Sequence, residues 1–179
     1  KVWDALAAEG VTPIGVETYA NSRRLEKSLR LQNADLLTEY NLYEADLARP
    51  KVKAADFLGK AAYEAQRKLE HQVAYLCTLT MTSNVDAKGV ARYPVGTCPV
   101  LDADTNEVLV DSQGRRSYTT SIAYGPSLQQ NIALAYLPNA YCTVGRKLAI
   151  EYFGEVYPVE VAAVGYTPLY DPENLKPRS

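Results

Sequence analysis

The side chains able to do chemistry form a lopsided set. There is one histidine, His71, and there are three cysteines, Cys77, Cys98 and Cys142. A second histidine for a Ser-His-Asp arrangement is lacking. No C-x-x-C pair or other metal-ligand spacing occurs. Neither G-x-G-x-x-G nor G-x-x-x-x-G-K-[ST] is present, so no loop of this sequence cradles phosphate in those ways. Three widely spread cysteines, an odd number, read as buried thiols in a reducing compartment, and a cytoplasmic location is expected. Tyrosine is abundant, 14 against 2 phenylalanines. Its ring packs while its hydroxyl stays available, which suits a wet, strand-rich surface or a pocket for a flat ligand. Charged residues crowd at Arg23, Arg24, Glu26, Lys27 and Arg30. Arg24 fits a helix-surface ion pair with Glu26 or its neighbours, and Glu26 reads as helix packing or an ion pair rather than a catalytic base. Lys60 fits a solvated helix lysine or a phosphate or carboxylate contact. Arg115-Arg116 reads as a solvated turn.

The bulk properties set limits on what these side chains serve. A chain of 179 residues holds one domain or one and a half. Its 47% hydrophobic and 22% charged residues are ordinary for a globular protein. A net charge of −2 gives no electrostatic case for nucleic acid. No apolar run approaches the roughly 18 residues that would span a bilayer, so no membrane partner is expected. The start, Lys1-Val2-Trp3-Asp4, has neither an apolar signal core nor an initiator Met, which predicts that the chain begins inside a larger protein. A piece of this kind is expected to expose an apolar patch, and to associate or to need its other half. No internal repeat is visible.

The elements that position these residues change character along the chain. Val2, Leu6 and Ala7 have helical spacing, and Gly10 is a plausible C-cap. Residues 17–31 predict a second helix through Leu25 and Leu29. Asp56 is a candidate N-cap for a third helix running toward Leu69. From Gln72 to Thr80 the pattern becomes β, and short strands follow at intervals of roughly ten residues, as in a small barrel. Apolar segments stand at Val95–Leu101, Val108–Val110, Tyr118–Tyr124, Ile132–Leu137, Lys147–Phe153 and Val159–Val164. Gly125-Pro126, Pro138-Asn139 and Gly145 punctuate them.

The punctuation carries a resemblance. The stretch T-S-x-x-Y-G-P-S-L-x-x-N-I-A-L-A-Y-L-P, followed by G-x-x-L-x-I-E-Y-F-G-E, resembles the C-terminal barrel of the aminomethyltransferase family. That family includes the T-protein of the glycine cleavage system and the folate-binding halves of dimethylglycine and sarcosine dehydrogenases. Asn21-Ser22 with Arg24-Leu25-Glu26-Lys27 is similar to the dehydrogenase group's N-S-x-R-x-E-K-G. Asp56 to Lys60 is similar to D-F-I-G-K, and Pro168 to Asn174 to P-L-Y-D-P-x-N. Three departures fall where the family usually has glycine: Ser28, Asn33 and Asp46. Leu42 replaces a proline, and Ala20 or Tyr19 stands where T-proteins carry an arginine associated with the folate pocket.

The resemblance implies an α+β architecture. Residues 1–70 would be the C-terminal portion of a folate-binding domain, and residues 71–179 a small antiparallel β-barrel with an extended tail. It implies tetrahydrofolate as cofactor, and FAD only if a dehydrogenase domain lies upstream. The implied activity passes a one-carbon unit from a methylated amine or related donor to folate. The catalytic aspartate and the Y-T-G-E segment are expected upstream, so no catalytic residue is assigned here. Such a ligand needs aromatic or apolar walls for its rings and a cation for its carboxylates; Tyr19, Arg23, Arg24 and Tyr170 are the candidates. The implied partners are the small donor molecule and the upstream remainder of the protein. A folate-dependent sulfonium or aryl-ether demethylase would share the fold, and a non-catalytic docking barrel is the alternative from another class.

Overall fold

The computed structural model describes residues 1–176, and two strands buried on both faces organise it. These are β1 (Ala74–Met81) and β4 (Gln130–Pro138), paired antiparallel from Ala74↔Pro138 to Thr80↔Ile132. The near-continuous apolar run of β4 divides by the two-residue period of a strand. Ala133, Ala135 and Leu137 join Cys77, Leu79, Val100, Leu148, Ile150 and Val161 in one cluster. Ile132, Leu134 and Tyr136 join Leu76, Leu25 and Ala45 in a second, on the opposite face. The first cluster fills the concave side of the sheet. The second fastens the N-terminal third of the chain to the outside.

The remaining strands are β2 (Val100–Asp102), β3 (Thr119–Gly125), β5 (Lys147–Tyr152) and β6 (Glu155–Val164). All pairings are antiparallel, in the order β2-β5-β6-β1-β4-β3. The two edges curl toward each other. Val100 N–H donates to the Ser117 carbonyl at 3.0 Å and Thr119 N–H to the Cys98 carbonyl at 2.8 Å, beside a bridge between Pro99 and Tyr118. The architecture is the expected small antiparallel barrel with few helices. Residues 108–110 make single bridges, Leu101↔Val108 and Val110↔Arg116, instead of a full strand.

The helical part is shorter than its periodicity suggests. The first helix, α1 (Val2–Ala8), forms as expected but buries none of its residues. Val2, Trp3, Leu6, Val11, Ile14 and Val16 are all exposed. The helix expected over residues 17–31 is a π-helical segment, Thr18–Arg23, running into α2 (Arg24–Glu26). It stops because Ser28 takes φ +55°, a left-handed angle that no helix continues through. The next helix, α3 (Lys60–Arg67), starts later than expected. Its N-cap is Gly59 at φ +86°, not Asp56, which stays in the preceding loop.

Candidate functional site

The segment from Arg23 to Ser28 is the point where the N-terminal third, the barrel and the tail meet. Consecutive helical residues project about 100° apart, and here that separates two arginines completely. Arg24 turns inward. Its Nη1 donates to Asp35 Oδ2 at 2.7 Å and to the Leu29 carbonyl at 3.2 Å, its Nη2 to Ser121 Oγ at 2.6 Å, and its Nε to the Ala20 carbonyl. The ion pair with Asp35 is buried on both sides. The expected helix-surface ion pair of Arg24 with Glu26 or its neighbours is therefore corrected: Arg23 pairs with Glu26, and Arg24 makes a buried pair with Asp35.

Asp35 collects donors from three elements. Besides Arg24, it accepts Leu31 N–H at 2.8 Å, Ser121 Oγ at 2.7 Å and Thr120 Oγ1 at 2.5 Å. Two consecutive strand residues ordinarily face opposite ways. They share one carboxylate here because β3 bulges, its register with β4 slipping between Thr119 and Ser121. Tyr136 completes the cluster by donating to the Asp35 carbonyl at 2.8 Å. Burial pushes the Tyr136 hydroxyl well above its usual range, so it is present as a donor. The Tyr40 ring stacks on Tyr136 at 3.6 Å, and the Arg115 guanidinium lies over Tyr40 at 4.4 Å.

Arg115 is a second correction. It is no solvated turn residue. It binds Glu44 Oε1 at 2.5 Å and Asp111 Oδ2 at 2.6 Å, with its side chain only 15% exposed. Lys60 donates to the carbonyls of Ala54 and Ala55 at 2.9 and 3.3 Å and so holds its own helix start.

Arg23 turns outward and meets the tail. Its Nη1 donates to Glu26 Oε2 at 3.0 Å and Ser127 Oγ at 2.7 Å; among the described residues nothing engages its Nε or Nη2. Glu26 is fully buried and accepts Ser127 N–H at 2.6 Å, while its carbonyl accepts the N–H groups of Leu169 and Tyr170 at 3.1 and 3.0 Å. Gly125 leaves room at this crossing: a Cβ there would lie 2.6 Å from Ile132 Cδ1 and 3.2 Å from Glu26 Cγ, so these side chains would have to shift. Lys27 ties down the tail through the Asp171 carbonyl at 2.7 Å, Asp171 Oδ2 at 2.9 Å and Asn174 Oδ1 at 3.0 Å.

The result is a half-exposed Tyr170 ring with three cations around it. Arg23, Lys27 and Lys176 stand 5.6, 5.7 and 5.0 Å from its centroid. Two of the four sequence candidates, Arg23 and Tyr170, are thus brought together. Arg24 lies directly behind them, with its donors committed to the fold. Tyr19 stands apart, 74% exposed on the π-helical segment. Sequence reasoning missed Lys27, Asp171 and Lys176 as members of this cluster. The signal was present in the tail: Asp171 also accepts Leu175 N–H at 2.8 Å and Lys176 N–H at 3.2 Å, a turn that an Asp-Pro-x-Asn spacing favours.

Chemically, a ring ringed by cations suits a ligand that carries both an aryl group and carboxylates. Comparison with known proteins bears on which ligand. Residues 94–171 match the model of the glycine cleavage T-protein C-terminal barrel domain. Over those residues the chain is similar to the C-terminal barrel of glycine cleavage T-proteins. It is 28% identical over 163 residues to an aminomethyltransferase of Prochlorococcus marinus (strain NATL1A), covering 88% of this chain and 38% of that protein. It is 29% identical over 164 residues to the mitochondrial dimethylglycine dehydrogenase of Mus musculus, covering 90% of this chain and 17% of that protein. The chain therefore spans well under half the length of these relatives. Among solved structures, the glycine cleavage system aminomethyltransferase T from Bartonella henselae superposes with a TM-score of 0.63 at 20% identity, over 83% of this chain and 38% of that one. That likeness shows the fold.

Three of the departures noted in the sequence have a backbone counterpart. Ser28, Asn33 and Asp46, which stand where the resembling pattern has glycine, all have positive φ: 55°, 64° and 52°. The glycines of the pattern answer a backbone requirement that this chain meets with other residues.

Proposed function

We propose that this chain supplies one wall of a tetrahydrofolate site in a protein that transfers a one-carbon unit from a methylated amine or related donor. The observation that carries the reading is the open cluster of Arg23, Lys27 and Lys176 around the Tyr170 ring. The aminomethyltransferase and dimethylglycine dehydrogenase relatives add weight to it. Folate has a flat bicyclic ring, a benzoyl ring and a glutamate tail, and the donor set fits that chemistry. When bound, folate accepts the one-carbon unit. The unengaged Nε and Nη2 of Arg23 take a carboxylate, Tyr170 packs against a ring, and Lys27 holds the tail segment in register. Arg24 is assigned a positioning role, since it fixes the helix that carries Arg23. In this reading residues 1–70 belong to a folate-binding unit and residues 71–179 to the barrel. FAD enters only if the protein also carries a flavin domain.

The test is calorimetric titration of tetrahydrofolate into this chain and into the full-length protein that contains it, each with and without Arg23→Ala. Binding by the full-length protein is expected, with loss of about tenfold in affinity on removing one charge-assisted contact. Unchanged affinity in Arg23→Ala, or no binding by the full-length protein, overturns the assignment and favours a docking role for the barrel.

A further inference from the structure

Cys77 and Cys142 are far apart in sequence, and neither takes part in the cluster described above. Their sulfurs lie 3.7 Å apart, and the Cys77 thiol is within reach of both Cys142 Sγ and the Tyr75 carbonyl, the latter at 3.6 Å. Both are free thiols. From this approach we infer that Cys77 and Cys142 form a reversible redox pair, which peroxide converts to a disulfide.

The two positions differ in ways that give each sulfur a separate task. Cys77 sits in β1, fully buried in the concave core, between Ala135 on β4 and Val164 on β6. Cys142 follows a single 3-10 turn, Asn139–Tyr141, at the end of β4, and is partly exposed. A small oxidant reaches Cys142 and not Cys77. The hydrogen bond from Cys77 also lowers the Cys142 thiol below its ordinary range, whereas the same contact, followed by burial, raises Cys77. The thiolate is the nucleophile in such chemistry, so Cys142 attacks first. The backbone at Cys142 belongs to a turn rather than a ladder, with φ −81° and ψ 63°, so this side can move to close the remaining gap. Cys77 is held on both sides by paired strands and cannot move far.

The balance is simple. The Cys142 thiolate attacks one oxygen of hydrogen peroxide, the O–O bond breaks, and hydroxide leaves, giving a sulfenic acid. The Cys77 sulfur then attacks the Cys142 sulfur. The S–S bond forms, the S–O bond breaks, and the hydroxide leaves as water with the Cys77 proton. Once Cys142 is a neutral sulfenic acid, the neighbouring negative charge that held the proton on Cys77 is gone. Both sulfurs are oxidised, and one peroxide becomes two waters. A dithiol such as thioredoxin or dithiothreitol reverses the step by exchange. The third cysteine, Cys98, is buried in the loop before β2 and donates to the Val95 carbonyl at 3.1 Å. It serves as an internal control.

The test is to expose the protein to hydrogen peroxide, unfold it in the presence of N-ethylmaleimide, and map its peptides by mass. The expected result is alkylation of Cys98 alone, a peptide joining Cys77 to Cys142 that is lighter by two hydrogen atoms than the sum of its parts, and full alkylation after dithiothreitol. Cys98→Ser should still cross-link. Cys142→Ser should leave Cys77 alkylated at the same peroxide dose. The cross-link closes a long loop and restrains the unfolded chain, so oxidation should raise the melting temperature of the protein but not of Cys142→Ser. The inference is overturned if Cys142 gains two or three oxygens while Cys77 remains alkylatable, or if all three cysteines are alkylated after treatment.

Discussion

Arg23 and Arg24 are neighbours in sequence and opposites in environment. Arg24 is 7% exposed and spends its guanidinium on Asp35, Ser121 and two carbonyls. The Arg23 side chain is 50% exposed and, among the described residues, hydrogen-bonds through Nη1 alone. The difference teaches how the proposed binding wall would be kept rigid. A side chain with uncommitted donors is useful to a ligand only if its backbone does not move, and the buried neighbour supplies that restraint. In the proposed folate wall, one helical step separates the residue that holds the site from the residue that would act in it. The closed region is expected to govern stability and the open region affinity.

The sharpest way to break the comparison is Asp35→Ala. It leaves the buried Arg24 guanidinium without its counter-charge and takes the acceptor from the Ser121 hydroxyl, while the Thr120 hydroxyl keeps the Leu134 carbonyl at 3.2 Å. Breaking a buried pair from one side costs about 3–5 kcal/mol, read as a lower urea midpoint at constant m-value. A loss under about 1 kcal/mol, the value of an exposed pair, would mean that Arg24 is no more fixed than Arg23. Next in size is Gly125→Ala, at the crossing of β3, Glu26 and Ile132. The added methyl would stand 2.6 Å from Ile132 Cδ1. Overpacking of this kind costs about 1–3 kcal/mol, and the same denaturation measurement decides it.

Much of the barrel was legible because its signals are local. Two-residue alternation and the Gly-Pro and Pro-Asn breaks placed β1, β3, β4, β5 and β6 to within a few residues. The continuous run of β4 looked featureless, yet it marks the strand with cores on both faces. What stayed hidden depends on contacts across long sequence separations. Nothing near Arg115 announces Glu44, and nothing near Arg24 announces the β3 bulge that turns Thr120 and Ser121 toward Asp35. A bulge is one extra residue in a strand, and alternation alone does not reveal it. The proximity of Cys77 and Cys142 was hidden for the same reason. The left-handed residues were half legible: the missing glycines were visible at Ser28, Asn33 and Asp46, but not the positive φ that each still adopts.

In the open region, Arg23→Ala should lower stability by less than about 1 kcal/mol, as for other exposed pairs, while weakening tetrahydrofolate binding by about tenfold. Equal losses in both would place Arg23 with Arg24 as a structural residue. Ser28→Gly sharpens the boundary between the two regions. Ser28 holds a left-handed backbone at the end of α2, and its hydroxyl is 3.5 Å from Thr78 Oγ1, a long contact. Relieving the strain should raise stability by about 0.5–1 kcal/mol, visible as a higher melting temperature with unchanged folate affinity.

The smallest effect concerns the tail, and pH reveals it. The hydrogen bond from Lys27 is the main influence lowering the Asp171 carboxyl; partial burial opposes it, and the Lys176 and Leu175 N–H groups add to the lowering. Its folded value therefore lies below the ordinary aspartate value of about 3.9. A group shifted this way contributes its full stabilisation above that value and loses it as pH falls through the folded one. Above about pH 5 the tail should be docked, and below about pH 4 it should loosen before the barrel does. The Leu169 and Tyr170 amides report on this directly, because both donate to the Glu26 carbonyl. Their hydrogen-exchange protection should drop on acidification while that of the β1 and β4 amides holds. Lys27→Met should show the same selective loss already at neutral pH. If tail and barrel amides lose protection together, Lys27 and Asp171 are not a separate latch, and the open region is as much a part of the core as Arg24.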